Sequence, residues 1–157
     1  MKILYLAHRI PYPPNKGDKI RTFNEIKHLS GNHEVHLACL ADDKRDLEYV
    51  MDLERYCARV EVRALNPAAS KIKGALSLLR GDPLSVGYFY SGKLQKAIDS
   101  WLATERYDAV ICFSSPMAEY VFRTPSLNDR IKRRNPTNPM NPMNPSNPSN
   151  PTNPKTP

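Results

Sequence analysis

Strongly apolar runs, each leading into a polar loop and a helical pattern, set the narrowest limits on the fold of this chain. The first two are "KILYLA" (residues 2–7) and "HEVHLACLA" (33–41). Such runs form strands buried on both faces, as in a parallel sheet covered by helices. "YDAVICF" (107–113) predicts another buried strand, whereas the alternation in "RVEVRAL" (59–65) predicts a strand nearer an edge. The sequence therefore predicts an α/β fold, a Rossmann-like parallel sheet flanked by helices.

Helical patterns fill the connections between these strands, and capping residues mark where the helices begin. The predicted helices are 18–30, 42–57, 70–80, 91–103 and 114–122. Asp18 caps the first helix, with Gly31 as a left-handed residue past its end, and Asp42 or Asp43 caps the second. Ser91 caps the fourth helix, and Pro116 lies in the first turn of the fifth. The apolar positions expected to face inward include Ile20, Phe23, Ile26 and Leu29 in the first helix and Leu47, Val50, Met51 and Leu53 in the second.

The C-terminal part of the sequence has a different composition. Eight of the 15 prolines lie in residues 135–157, where Asn-Pro recurs at every third position. Proline removes backbone donors and disfavours the helical region for the residue before it, so this segment predicts a disordered tail. We therefore expect a folded domain over residues 1–122, a basic segment over 123–134 and the tail over 135–157.

The net charge of +7 does not indicate a nucleic-acid partner, because most of it lies outside the predicted domain. Residues 123–134 alone carry five basic side chains against one aspartate. A nucleic-acid interface needs basic residues gathered on a folded surface. We therefore expect no nucleic-acid partner.

The cysteines and the N-terminus favour a cytoplasmic location. Cys39, Cys57 and Cys112 are odd in number and widely spaced, and each lies in an apolar run. This pattern predicts buried, reduced thiols rather than disulfides or a metal site. The apolar run after Lys2 is too short for a secretory signal, and no run reaches the ~18 residues of a membrane span.

Asn15-Lys16-Gly17-Asp18 matches the Asn-Lys-x-Asp pattern with which small GTPases recognise guanine. The phosphate-binding loop that a GTPase also needs, G-x-x-x-x-G-K-[ST], is missing from the sequence. The G-x-G-x-x-G signature of dinucleotide folds is missing after the first strand as well. The match to the guanine motif is therefore fortuitous.

Ligands of open parallel sheets bind at the carboxyl ends of the strands, so the loops there hold the candidate site. His8 follows the first strand, where an imidazole can take a proton from a hydroxyl or can serve only as a structural residue. Ser114 and Ser115 follow the fourth strand, and Glu119 lies one turn further on. No G-x-S-x-G elbow surrounds the serines, so a serine hydrolase is not indicated.

Three segments, "MKILYLAHRIPYPPNKGDKIRTFNEIKHLS", "HEVHLACLADD" and "YDAVICFSSPMAEYV", together resemble the N-terminal, acceptor-side domain of GT-B fold glycosyltransferases of the subgroup numbered family four. The loop "RIPYPPNKGDKIRTFN" and the element "SSPMAEYV" look more narrowly like bacterial sugar transferases associated with exopolysaccharide export. The likeness extends over residues 1 to about 122. It implies that the fold is the N-terminal half of a GT-B enzyme.

The resemblance also implies a reaction, the transfer of a sugar from a nucleotide diphosphate sugar to an acceptor hydroxyl, usually with retention and without a metal ion or other cofactor. The partner is then a sugar or a lipid-linked glycan. Carried over to this sequence, the acceptor-binding residues are Asn15, Lys16, Gly17, Asp18, Arg21, Ser114 and Ser115, with Glu119 beside them and His8 as the candidate catalytic residue.

The sequence departs from the family after Phe122. Members have a second Rossmann-like domain that binds the donor and bears two glutamates with seven residues between them, and no two glutamates have that spacing here. We expect an isolated acceptor half, truncated by an interrupted reading frame, to be inactive alone.

Two noncatalytic alternatives remain. One is a binding or assembly module that pairs with a separate chain supplying the donor domain. The other is peripheral contact with the inner face of the plasma membrane through "SKIKGALSLLR" (70–80), in which basic and apolar residues are mixed. A helix packed on the sheet also explains that segment.

Overall fold

The computed structural model describes residues 1–79, 81 and 83–124. Strands β1 (Lys2–Ala7), β2 (Glu34–Ala41), β3 (Arg59–Ala64) and β4 (Ala109–Cys112) form one parallel sheet in the order β3-β2-β1-β4. The fold class predicted from the sequence is therefore confirmed, and β3 lies at an edge as expected.

Helices flank this sheet. They are α1 (Gly17–Ser30), a 3-10 helix (Lys44–Tyr49) leading into α2 (Val50–Leu53), α3 (Pro67–Leu78), α4 (Leu84–Tyr88), α5 (Gly92–Thr104) and α6 (Ser115–Arg123). None of the helices in the described ranges has the length and hydropathy needed to cross a membrane. Met1–Tyr120 is one compact unit. The predicted basic segment and Asn-Pro tail lie outside the described residues, except for Arg123 and Thr124.

Strand β1 is the centre of the core. Tyr5 pairs with Leu37 of β2 on one side and with Ile111 of β4 on the other. From Ile3 to Ala7 every residue of β1 is buried. Each large apolar side chain removed from water in this way contributes ~1.5–3 kcal/mol, which explains why the run contains no polar residue.

At the amino edge of the sheet, ion pairs join the strands. Lys2 Nζ lies 3.0 Å from Glu34 and 2.8 Å from Glu105, and Arg59 lies 2.9 Å from Glu105. Glu34 and Glu105 also surround the buried ring of His36, and the three side chains are close enough to hold a metal ion. Lys2 pairs with both carboxylates and Arg59 with Glu105, so cations of the chain already balance the charge of this cluster.

The three cysteines are free thiols, as predicted. Cys39 and Cys57 are buried, and Cys112 is half-buried. Burial raises the pKa of Cys57 to about 12 and the pKa of Cys112 to about 11, so neither is a thiolate at neutral pH.

Helix α1 differs from the prediction at both ends. Lys16 is the N-cap and makes no side-chain capping bond, whereas Asp18 lies in the first turn and pairs with other residues. Gly31 has φ −65°, so it is right-handed rather than left-handed. Ile20 is 44% exposed, and Lys19 takes a buried position instead. The buried face of α1 is therefore more polar than its apolar spacing suggested.

The segment after β2 is less helical than predicted. Asp43 does act as the cap, since its carboxylate accepts a hydrogen bond of 3.0 Å from the Arg45 amide. A 3-10 helix and the single turn of α2 then replace the continuous helix. Leu53 is buried, but Leu47 and Met51 are exposed, so the expectation that they pack inward is wrong.

Helix α3 begins at Pro67, three residues before the predicted start. Asn66 caps it by accepting hydrogen bonds from the amides of Ala68 and Ala69. The sequence pattern missed α4, whose five residues follow the helix-breaking Gly81 and Pro83. Ser91 caps α5 as predicted.

Helices α3 and α4 pack through glycines and serines rather than large apolar residues. A Cβ at Gly87 would lie 2.6 Å from the Lys73 carbonyl oxygen and 2.7 Å from Ser77 Oγ. A Cβ at Gly74 would lie 3.1 Å from the Leu84 carbonyl oxygen. The buried residues of α3 are accordingly small.

We predict that Gly87→Ala destabilises the protein by about 1–3 kcal/mol, because the added methyl group overlaps backbone that cannot move alone. Gly92→Ala is the matched control, since a Cβ there meets no atom within 4 Å. Chemical denaturation of both variants measures the difference. Equal stability of the two variants would contradict the close approach of α3 and α4.

Candidate functional site

Arg9 joins the loops at the carboxyl edge of the sheet. Its Nη1 lies 3.0 Å from Asp18 Oδ2 in the first turn of α1, and its Nε lies 3.0 Å from Asp42 Oδ2 just after β2. One guanidinium therefore ties the segment after β1 to a helix and to the neighbouring strand. Neither Arg9 nor Asp42 was predicted as a site residue.

His8 follows β1 and lies between two aromatic rings. Its ring centroid is 5.2 Å from that of Phe89 and 5.9 Å from that of Phe113, with the Phe113 ring nearly parallel. Its Nε2 lies 3.4 Å from Asp18 Oδ2. Its Nδ1 is buried and has no hydrogen-bond partner among the residues that the structure describes.

Burial keeps the imidazole of His8 neutral. Burial lowers its pKa below the ordinary value, and the nearby Arg9 charge adds to this, while Asp18 acts in the opposite sense. Burial also disfavours ionisation of Asp18, but hydrogen bonds from the Arg9 side chain and the Lys19 amide outweigh it, so the pKa of Asp18 is lowered. A neutral imidazole thus faces an ionised carboxylate.

This arrangement selects one tautomer of His8. The carboxylate of Asp18 favours a proton on Nε2, which leaves the Nδ1 lone pair as an acceptor. A buried acceptor without a donor is costly, and such atoms in native proteins call for an explanation. A ligand hydroxyl that donates to Nδ1 satisfies it, and the same geometry lets the imidazole take up the proton.

Ser114 reaches the same edge from β4. Leu6 pairs with Cys112, and two residues beyond that pair the chain reaches His8 on one strand and Ser114 on the other. The Ser114 hydroxyl is buried and also lacks a hydrogen-bond partner within the described ranges. Two polar atoms without partners therefore lie at the ends of adjacent strands.

Phe89 is a part of this site that the sequence did not reveal, because α4 was missed. The Tyr120 hydroxyl accepts a hydrogen bond from the Ser91 amide and donates one to the Phe89 carbonyl oxygen, both at 2.7 Å. These bonds hold the end of α4 near His8.

Asn15 and Lys16 line a separate cleft of about 530 Å³. Its other lining residues are Pro13, Lys19, Asp42, Asp43, Arg45, Asp46 and Tyr49. The buried Lys19 ammonium lies 2.8 Å from Asp46. Asp42 connects this cleft to the Arg9 network, so the loop after β1 contributes to both places.

The remaining predicted residues lie around these two groups. Arg21 pairs with Glu25 at 3.0 Å, and its guanidinium lies 5.7 Å from the centroid of the Phe113 ring. Gly17 and Ser115 are exposed at the starts of α1 and α6, and Glu119 is half-buried on α6.

We predict that His8 titrates below the usual value of ~6.5 and carries its proton on Nε2. Asp18→Asn removes a charge that favours the imidazolium, so the pKa of His8 falls further. Asp43→Asn, whose carboxylate pairs with the exposed Arg45 instead, is the control. NMR of ¹⁵N-labelled imidazoles measures the pKa of His8 and its tautomer, and the His8→Gln variant assigns the His8 signals. A raised pKa or an Nδ1-protonated tautomer would contradict this geometry.

Comparison with protein families, curated proteins and solved structures found no match to this chain. Its function must therefore be inferred from its fold and from the chemistry of its own side chains.

Proposed function

We propose that Met1–Tyr120 is the acceptor-binding domain of a sugar transferase. In this proposal a saccharide hydroxyl binds at the carboxyl edge of the sheet and donates a hydrogen bond to His8 Nδ1. The observation that carries the proposal is the buried Nδ1 of His8. This nitrogen has no hydrogen-bond partner among the described residues, although the imidazole is neutral and faces Asp18.

The surroundings of His8 suit a saccharide. Aromatic rings beside a few polar groups are the usual lining of small-molecule sites, and Phe89 and Phe113 provide the rings. Ser114 offers a second hydroxyl without a partner. The sequence likeness of the loop after β1 to acceptor-side loops of glycosyltransferases agrees with this choice of ligand.

The proposed chemical role of His8 is that of a general base. As the acceptor oxygen bonds to the anomeric carbon of a nucleotide diphosphate sugar, its proton passes to Nδ1, the bond from that carbon to the phosphate oxygen breaks, and the nucleoside diphosphate leaves. Asp18 stabilises the imidazolium that forms, because a carboxylate near the ring favours the charged state. Arg9 keeps Asp18 ionised and in position.

Transfer also needs a donor held against the acceptor. We assign donor binding to a second domain, in this protein or in a partner chain, that faces the carboxyl edge. Nucleotide diphosphate sugars therefore should not bind at His8 when Met1–Tyr120 is by itself, and the saccharide site should be present without them.

We predict that the full chain binds a subset of methyl glycosides at millimolar concentration in saturation-transfer NMR. His8→Gln should weaken that binding at least ~10-fold, since one buried polar contact of this kind is worth ~1.4 kcal/mol or more. His33→Gln is the control, because His33 also has a buried Nδ1 without a partner but precedes β2 at the opposite edge.

Three results would contradict the proposal. One is that no glycoside of a broad panel binds. Another is that both histidine variants weaken binding equally. The third is tight binding of nucleotide diphosphate sugars that displaces the glycoside, because it would make this domain the donor side.

A second candidate function, docking on an anionic membrane surface, is favoured by the exposed face of α3. Leu76 is 52% exposed and Leu79 is 84% exposed, and Ile72 and Leu78 are exposed beside them. The alternative in which these residues pack on the sheet is wrong, since α3 buries Ser70, Gly74 and Ser77 instead. Lysines 71 and 73 supply positive charge next to the apolar surface, which suits anionic lipid.

We predict that the full chain floats with vesicles of phosphatidylcholine and phosphatidylglycerol at low salt. The variant Leu76→Glu/Leu79→Glu should lose most of this binding, because both side chains leave water on docking. Met51→Glu, a change at another exposed apolar residue, should leave it intact. A membrane-docking role for α3 would be excluded if the chain does not float with the vesicles. It would also be excluded if Leu76→Glu/Leu79→Glu and Met51→Glu lose vesicle binding equally.

A further inference from the structure

A second cleft, of about 460 Å³, lies at the carboxyl end of β3. Its walls come from the junction of β3 and α3, from Lys73 of α3 and from the start of α5, including Lys93 and Lys96. No carboxylate is among its lining residues. The cleft beside Lys16 differs in this respect, since Asp42, Asp43 and Asp46 line it.

The three lysines of this cleft have no ion-pair partner among the described residues. Elsewhere in the described part of the chain, the ion-paired lysines are Lys2, which pairs with Glu105, and Lys19, which pairs with Asp46. Lys93 and Lys96 are three residues apart on α5 and so are neighbours on its surface. Like charges gathered in one concave surface repel each other unless an anion lies between them.

A hydroxyl in the wall of the cleft also lacks a partner. Ser70 is 3% exposed and lines the cleft. Its amide bonds to the Asn66 carbonyl oxygen at 2.8 Å, but no described residue hydrogen-bonds to its hydroxyl. A serine hydroxyl can donate to an anionic oxygen. This hydroxyl is independent of the lysines and is positioned in the cleft wall to donate to a ligand there.

The start of α5 adds a favourable field. Within the described part of the chain, Ser91 Oγ accepts a hydrogen bond from the Leu94 amide, at 3.4 Å, and does not cap the first-turn amides of Gly92 and Lys93. A Cβ built at Gly92 would have no other described atom within 4 Å, so the space beside this residue is open. An anion in the cleft would therefore meet positive charge, a hydroxyl donor and the positive end of a helix dipole.

We propose that this cleft is a binding site for a phosphate or diphosphate group. Lys73, Lys93 and Lys96 supply the charge, and Ser70 supplies a directed hydrogen bond. The proposal stands on residues distinct from His8 and does not depend on the saccharide site. The phosphate can belong to a soluble compound or to a lipid headgroup, and the chemistry of recognition is the same.

The test is calorimetric titration of the full chain with inorganic phosphate and with pyrophosphate at constant ionic strength. We expect pyrophosphate to bind more tightly than phosphate. Lys93→Gln/Lys96→Gln should weaken the binding of pyrophosphate at least ~10-fold. Ser70→Ala should weaken this binding about fivefold, as expected for charge-assisted hydrogen bonds. Lys27→Gln/Lys44→Gln removes the same charge from exposed positions outside the cleft and should have little effect.

A second arm identifies the source of the phosphate. Vesicles containing phosphatidic acid, a monoester, are compared with vesicles containing phosphatidylglycerol at matched surface charge. Preference for phosphatidic acid, reversed by free pyrophosphate and lost in Lys93→Gln/Lys96→Gln, assigns the site to a lipid headgroup. Pyrophosphate binding without that preference assigns it to a soluble compound.

Two results overturn the proposal. One is absence of pyrophosphate binding at 10 mM or below, a concentration at which even a weak ~1 mM site would be occupied. The other is an equal loss of pyrophosphate binding in Lys93→Gln/Lys96→Gln and in Lys27→Gln/Lys44→Gln, which would show that the effect depends on net charge alone. Neither result bears on glycoside binding at His8, so failure here and failure of the proposed function are distinguishable.

Discussion

The pairing of β1 with a parallel neighbour on each side is the constraint on which the rest of the structure depends. It buries the whole of Ile3–Ala7, which is apolar apart from the Tyr5 hydroxyl that donates to Glu25. The polar residues must therefore follow the strand. Because parallel strands end at the same edge, His8, Asp42 and Ser114 emerge together from β1, β2 and β4.

Electrostatics then divides that edge into regions of different character. Arg9 lies between Asp18 and Asp42, which keeps Asp18 ionised while burial keeps His8 neutral. The cleft beside Lys16 is rich in carboxylates, whereas the cleft beyond β3 has lysines and no acid in its lining. The region around His8 suits a neutral ligand with hydroxyl groups, and the cleft beyond β3 suits an anion.

Local pattern in the sequence was enough to predict the sheet, since apolar runs and helical spacing are set by burial alone. Pattern failed where interactions join distant segments. Asp18 resembled a helix cap, but its carboxylate pairs with Arg9 and His8 instead. Arg9 and Asp42 carry no motif of their own, and only their shared position just after strands marks them. Phe89 was missed because close approach at Gly87, rather than apolar spacing, positions α4.

The most direct test of the central claim is a crystal structure of the full chain with the glycoside that binds best in solution, determined at neutral pH. The account predicts a sugar hydroxyl oxygen ~2.7–3.2 Å from His8 Nδ1, with Nε2 still directed at Asp18. A glycoside bound away from the carboxyl edge, with Nδ1 again lacking a partner, would contradict the role given to His8.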